Sequence, residues 1–458
     1  MRDSATQGVL FPALTRKSIR AVFDEPNQSS DGGLILLQAA DRALRLTERI
    51  ARALGDRRDP SKVEHSVEEL VRQRVFGLAA GYADGNDAAR IGSDPMQKLV
   101  VGRDPLSGAD LASQPTLSRF ENRPDRKDLL RAGWTLLTTV VDHHRRRIGR
   151  RRVRRITIDL DPTDDPTHGA QQLSMFNGHY DMWCYLPVLG FLTFDDEPDQ
   201  YLFAAVLRPG NAHATAGARG ILTRTIGYLR LRFPEARIRV RLDGGYATPE
   251  MFLLLENLSV EYLVAMGSNS VLLARAAELM EEARVLAAES GRTATLFGET
   301  RYAAKTWGSV ERRIIIKAEV VRLEGREPRD NARFVVTNLR SAPEHVYHVY
   351  RVRGDFENRI KELHHDLEID RTSCSSFWAN QLRVLLTATA YVLFQELRRR
   401  AAGTDLARAQ VGHLRIALVK IATRVERTVR RIVLHFAEAH PDRLVWFRVA
   451  AALGAVGT

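Results

Sequence analysis

Two short runs constrain this chain more than anything else in it. In Ile156 to Asp161 (ITIDLD) the apolar Ile156, Ile158 and Leu160 alternate with Thr157, Asp159 and Asp161. In Arg237 to Asp243 (RIRVRLD), Ile238, Val240 and Leu242 alternate with Arg239, Arg241 and Asp243. Period-two alternation of this kind predicts strands, each with one apolar face and one polar face. Both predicted strands deliver an acid at their carboxyl end, and Gly244-Gly245 then frees the chain for an unusual turn. In α/β sheets that edge is where ligands bind, because the crossover connections leave a crevice there.

Around these strands the pattern runs strand, strand, strand, helix, strand. ITIDLD is followed by MWCYLPVLGF and YLFAAVLR, then a helix from about Ala216 to Phe233, then RIRVRLD, a helix from Pro249 to Leu258 and the strand EYLVAMG. Successive strands followed by alternating helices and strands predict an α/β fold whose mixed sheet has an antiparallel portion. Residues 1 to about 130 read as a helical, polar-rich region suited to reading DNA or to packing, with a capped helix start at Ser113 to Phe120. Residues 268–338 change character, from an Ala- and Glu-rich helical stretch to the β-rich runs TRYAAKTW, RRIIIKAEVV and ARFVVTNL, and read as a β-rich insertion. A helix resumes over Glu344 to Leu367, an apolar helix follows over Phe377 to Leu397, and residues 401–458 read as a basic amphipathic helical tail bearing Arg424, Arg427, Arg430 and Arg431.

Charge narrows the partners. Against 56 Asp and Glu stand 68 Lys and Arg, a formal charge of +12 that favours a polyanion. Eight arginines fall within Arg145 to Arg155 and run straight into the first acidic strand, so Arg151 and Arg152 are candidates for phosphate contact, with a solvated charged face as the ordinary alternative. The two cysteines, Cys184 and Cys374, have no His or Cys at ligand spacing, which argues against a zinc site or a disulfide framework. No stretch approaches 18 uncharged apolar residues, and the start MRDSATQGVLFPAL lacks the basic and apolar segments of a leader; a cytoplasmic, nucleoid-associated protein with no membrane partner is expected. Trp183 and Trp307 read most simply as core aromatics, with stacking on an unpaired base as the alternative for Trp307, which lies inside the β-rich run.

A third acid completes the pattern. Tyr350, Arg353, Glu357 and His364 are offset by 3, 7 and 14 and would share one face of a helix. The spacing resembles the Tyr-x2-Arg-x3-Glu-x6-Lys signature of one branch of bacterial insertion-sequence DDE transposases, with His364 standing where that signature has Lys. IDLDPTDDPTHGAQ, FNGHYDMWCYLPVLGF, LRPGNAHATAGA, LDGGYATPE and GDFENRIKELHHDL resemble the same family in the same order, closely over about 150–400 and more loosely at both ends.

The resemblance implies a ribonuclease-H-like catalytic core in two parts, 150–267 and 339–400, separated by the 268–338 insertion and flanked by helical ends. It also implies binding to double-stranded DNA at terminal inverted repeats, with Tyr350 and Arg353 positioning the DNA end and His364 making a last contact that is fully charged only when protonated. Asp161, Asp243 and Glu357 are the expected catalytic and metal-holding acids. Asp161 precedes Pro162-Thr163 and so matches the family's Asp-x-Thr pattern, while Asp159 on the same face is the alternative first acid. Three carboxylates suit a pair of Mg²⁺ or Mn²⁺ ions, hard cations that prefer oxygen, for DNA cleavage and joining to target DNA. Bringing two element ends together would call for a homodimer on DNA. A transposase-derived DNA-binding protein without activity, and a nuclease on the same core, are the competing readings.

Overall fold

The computed structural model describes residues 9–11 and 15–457, so most of the amino-terminal stretch read for a leader lies outside the described residues. The chain is built on a mixed α/β plan around one eight-stranded sheet. In chain order its strands are β1 (Arg155–Pro162), β2 (Val188–Phe194), β3 (Tyr201–Val206), β4 (Arg237–Leu242), β5 (Glu261–Met266), β6 (Ala294–Tyr302), β7 (Arg312–Val321) and β8 (Arg329–Thr337). Across the sheet the order is β6-β7-β8-β5-β4-β1-β2-β3. The trio β1, β4 and β5 is parallel, and every other pairing is antiparallel.

Leu186-Pro187 interrupts the expected MWCYLPVLGF strand. Pro187 has no N–H for a ladder, so Met182–Tyr185 pairs elsewhere and β2 begins at Val188. The segment between β1 and β2 forms a small sheet of its own, in which Met182–Tyr185 lies between Asp165–Pro166 and Met175–Asn177. This flap rises from the carboxyl end of β1.

The β-rich run 268–338 continues the main sheet, because β8 pairs antiparallel with β5. Two helices, Ser270–Arg275 and Ala277–Ser290, precede it; Met280, Ala283 and Ala287 of the second pack on Ala318 and Val320.

The two faces of the sheet are covered differently. Ile156, Ile158, Leu160, Ile238, Val240 and Leu242 form one apolar layer beneath the helices Ala218–Arg232 and Pro249–Asn257. On the other face, helix Phe377–Arg400 packs on Phe191, Leu202 and Ala205 of β2 and β3, and is itself wrapped by amino-terminal helices. Residues of Leu34–Leu44, Val67–Ala80 and Arg126–Ile148 share this core with Leu382, Leu386 and Leu393. The amino-terminal helical region is thereby joined to the sheet through a common apolar interior.

The carboxyl-terminal region departs from the expected helical tail. Arg424 and Arg427 lie on a strand, Thr423–Arg427, hairpinned to Ile432–Phe436, with Arg430 and Arg431 at the turn. Thr423, Val425, Ile432 and Val433 are β-branched, and their pleated packing overrides the helical spacing of the arginines. The expected continuous helix over Glu344 to Leu367 is also broken. It runs as Pro343–Arg351, then Gly354–Lys361, then a wider π turn over Glu362–Asp366. Gly354, which costs about 1 kcal/mol relative to Ala inside a helix, stands at the first break.

Candidate active site

The polar face of β1 and β4 is buried rather than solvated. Arg241 and Asp159 are direct partners across the two strands. Arg241 donates from Nε and Nη2 to the two oxygens of Asp159 at 2.8 and 2.7 Å, and from Nη1 to the carbonyl of Val349 at 2.9 Å. Asp159 is fully buried. Its charge is matched and its oxygens are taken, so Asp159 ties the sheet to the overlying helix Pro343–Arg351. One step on, Arg239 is bound in the same way by Glu261 at 2.9 Å.

Two residues further along each strand this matching ends. Asp161 and Asp243 occupy the next polar positions, both only partly buried, and neither strand offers them a basic partner. Asp243 caps the turn after β4, accepting from the Gly245 amide at 3.0 Å. Asp161 accepts from Arg353, which reaches it from the break between the two helices. Burial pushes the Asp161 carboxyl up, Arg353 pulls it back, and the negative charges of Asp243 and Glu357 push it up again, to about 7. Asp161 therefore lies within electrostatic reach of both Asp243 and Glu357. Glu357 stands exposed in the first turn of Gly354–Lys361.

Tyr350 belongs to the same cluster. Its phenol is raised by burial first, with Arg353 opposing and Asp243 and Asp161 adding to the rise. Three residues that sequence reasoning passed over join it. Tyr180, on the flap, is pushed up to about 12 by burial and by Asp164, Asp161 and Asp243. Arg208, buried at the end of β3, is lowered by burial and held up by Tyr246 and Asp243. Arg208 uses Nε and Nη1 on the carbonyls of Leu186, His213, Ala214 and Ala216, at 2.8 to 3.1 Å. Its Nη2, the Tyr246 hydroxyl and the Arg353 Nε are buried and have no hydrogen-bond partner among the described residues. Arg208, Tyr246 and Tyr180 sit in the quoted motifs LRPGNAHATAGA, LDGGYATPE and FNGHYDMWCYLPVLGF, but nothing in residue type alone separates them from core or turn residues.

His364 is placed beside the site, yet not with a free ring. Its Nε2 lies 2.9 Å from the Thr163 hydroxyl and its Nδ1 lies 3.1 Å from Asp370. Thr163 is two residues beyond Asp161, so His364 braces the segment that leaves β1. Both ring nitrogens are thus engaged within the chain. Asp165, deeper in the same segment, is buried and accepts from Thr372 at 2.8 and 3.0 Å. Burial is the main cause that drives its carboxyl up to about 8, against the Thr372 hydrogen bond.

The remaining sequence candidates lie elsewhere. Arg151 and Arg152 precede β1 and so lie at the opposite edge of the sheet from Asp161, with Arg152 paired to Glu235 at 2.8 Å. The two tryptophans differ: Trp307 keeps the core reading, and Trp183 departs from it. Trp307 is only 6% exposed, with its ring edge-on to Phe252 and Tyr302 and the Arg312 guanidinium 5.1 Å from its centre. That is a core position with no face offered to a base. Trp183, read as core, is 58% exposed on the flap beside Phe176.

Comparison with known families decides what this arrangement belongs to. A model of the transposase DDE domain, group 1, matches residues 11–458. The chain belongs to this DDE transposase family. No curated protein matches it. Membership implies a nuclease or transposase enzyme with DNA as its partner, in a family that uses divalent metal ions. No helix among the described residues is long and apolar enough to cross a membrane.

The acids of this transposase suit such ions in kind, since the donor set is carboxylate alone and its charges push Asp161 up, which an added cation would relieve. Among the described residues, no three His, Cys, Asp or Glu side chains are drawn together at ligating distance. Arg353 holds the Asp161 oxygen instead.

Proposed function

We propose that this transposase binds the terminal inverted repeats of an insertion sequence and cuts and joins DNA with Asp161, Asp243 and Glu357 as its acids. The observation that carries the reading is geometric: Asp161 and Asp243 follow one another at the open end of two adjacent parallel strands, and Arg353, four residues before Glu357, is bound to Asp161. The sheet order β3-β2-β1-β4-β5, antiparallel on one side of β1 and parallel on the other, supports a ribonuclease-H-like core with β6 to β8 added at its edge.

Divalent ions, when bound, would activate the attacking oxygen and stabilise the leaving one during in-line displacement at a phosphodiester. Asp161, Asp243 and Glu357 would hold them. Binding requires Arg353 to release Asp161, and a DNA phosphate is a fitting acceptor for the freed guanidinium. Tyr350 and Arg208, both within reach of Asp243, would orient the DNA end. Water as attacking group cuts the element end; the freed 3′-hydroxyl as attacking group joins it to target DNA, and synapsis of two ends calls for a homodimer on DNA.

Glu357→Gln tests this directly. Glu357 is exposed, so the variant folds, and it is expected to lose Mg²⁺- or Mn²⁺-dependent nicking of a terminal-repeat duplex while retaining end binding in a gel shift. Persistent nicking would refute the assignment. Strand-transfer products from the unaltered protein separate transposition from simple nuclease action.

A further inference from the structure

The edge of the sheet opposite the acids carries an open cleft of about 790 Å³ that no part of the proposed reaction uses. Arg155, Arg230, Arg237, Arg239 and Arg340 line it, with Glu256 and Glu261 as its acids. Both acids are already engaged. Glu256 takes a two-pronged contact from Arg312 at 2.7 and 2.9 Å, and Glu261 accepts from Arg239 at 2.9 Å. Arg230 donates only to the carbonyls of Leu258 and Ser259. Arg237 is 70% exposed and stands 3.6 Å from Glu261, too far for a hydrogen bond. Arg340 is exposed and pairs with no carboxylate among the described residues. Arg155 is held by Asp196 at 3.1 Å and Arg239 by Glu261, so the guanidinium groups of the cleft left free for phosphate oxygens are those of Arg237 and Arg340.

We infer that this cleft is a second DNA site, which grips the phosphate backbone of a duplex away from the point of cleavage. The inference rests on the transposase reading for the class of its ligand and on the cleft itself for its place. From Arg155 to Asp161 along β1, and from Arg237 to Asp243 along β4, six residues at about 3.3 Å each give roughly 20 Å between the two edges. Phosphates held in the cleft are thus not those being cut. The arginine run before β1 arrives at the same edge, so Arg151 and Arg152 extend this surface rather than the acid cluster.

The test is Arg237→Gln with Arg340→Gln in the full chain, read by DNA binding without added metal, so that its outcome is independent of cleavage and of Glu357. A duplex that neutralises both arginines releases about 0.9 counterion for each, so the slope of log affinity against log salt should fall by about 2, with roughly a tenfold loss of affinity at moderate salt. Arg237→Lys with Arg340→Lys should keep the slope. Arg326→Gln with Arg329→Gln removes the same charge at the distant β7–β8 turn and should change the slope far less. A loss that appears only when a terminal-repeat duplex is lengthened assigns the cleft to the same DNA molecule; a loss seen only in capture of a second duplex assigns it to target DNA. An unchanged slope, or an equal fall in the turn variant, would overturn the inference.

Discussion

The inner and outer parts of one polar strand face behave in opposite ways. Inside, Asp159 meets Arg241 and Glu261 meets Arg239, each acid beside a base on the neighbouring strand. At the carboxyl end Asp161 and Asp243 follow in the same alternation, but acid stands beside acid, and the countercharge comes from Arg353 on a separate segment. The inner pairs fix the sheet and the helix above it. The outer acids are left with charge to spend on a ligand. Position along the strand, not residue type, separates the aspartate bound across the sheet from the two proposed as catalytic.

The contrast can be broken most severely at its inner end. Asp159→Asn leaves Arg241 buried without a matching charge and is expected to cost about 3–5 kcal/mol of stability in denaturant unfolding. Asp161→Asn should unfold no more easily than the unaltered protein, since it relieves the crowding of acids; equal destabilisation of the two variants would erase the distinction.

The tryptophans sharpen the same point about burial. Trp307→Ala opens the core between Phe252 and Tyr302 and should cost about 3–5 kcal/mol. Trp183→Ala, on the exposed flap, should change stability by no more than about 0.5 kcal/mol. Matching losses would mean that the flap is part of the core.

Asp165 gives a smaller effect with a pH signature. Its folded carboxyl is raised to about 8, above the unfolded value near 4, so its contribution to stability is fully present below pH 4 and lost as pH rises through 8. Asp165→Asn removes that loss, and Asn can still accept from Thr372. The melting temperature of the variant should therefore exceed that of the unaltered protein by a margin that grows from pH 5 to pH 8. A margin independent of pH would contradict the buried-acid account.

The strands bearing Asp161 and Asp243 were legible because alternation and a terminal acid are local properties of the sequence. So was the helical segment that bears Glu357, though it is broken before Gly354. What alternation could not tell is that the polar face is buried too, since that depends on helix Pro343–Arg351 arriving from a distant part of the chain. The same cause hid the roles of Asp159, paired with an arginine 82 positions away, and of His364, held by Thr163 at a separation of 201. Trp183 reads as core from the sequence, as Trp307 does, because an aromatic ring in a β-rich run looks alike whether it faces the core or solvent. Only the three-dimensional pairing of Met175–Asn177 with Met182–Tyr185 exposes Trp183.

The most direct measurement is nicking of a terminal-repeat duplex by Asp161→Asn beside Asp159→Asn, each at a temperature where circular dichroism shows it folded. The account predicts no cutting by Asp161→Asn and measurable cutting by the folded fraction of Asp159→Asn. Cutting by Asp161→Asn, with none by folded Asp159→Asn, would contradict it.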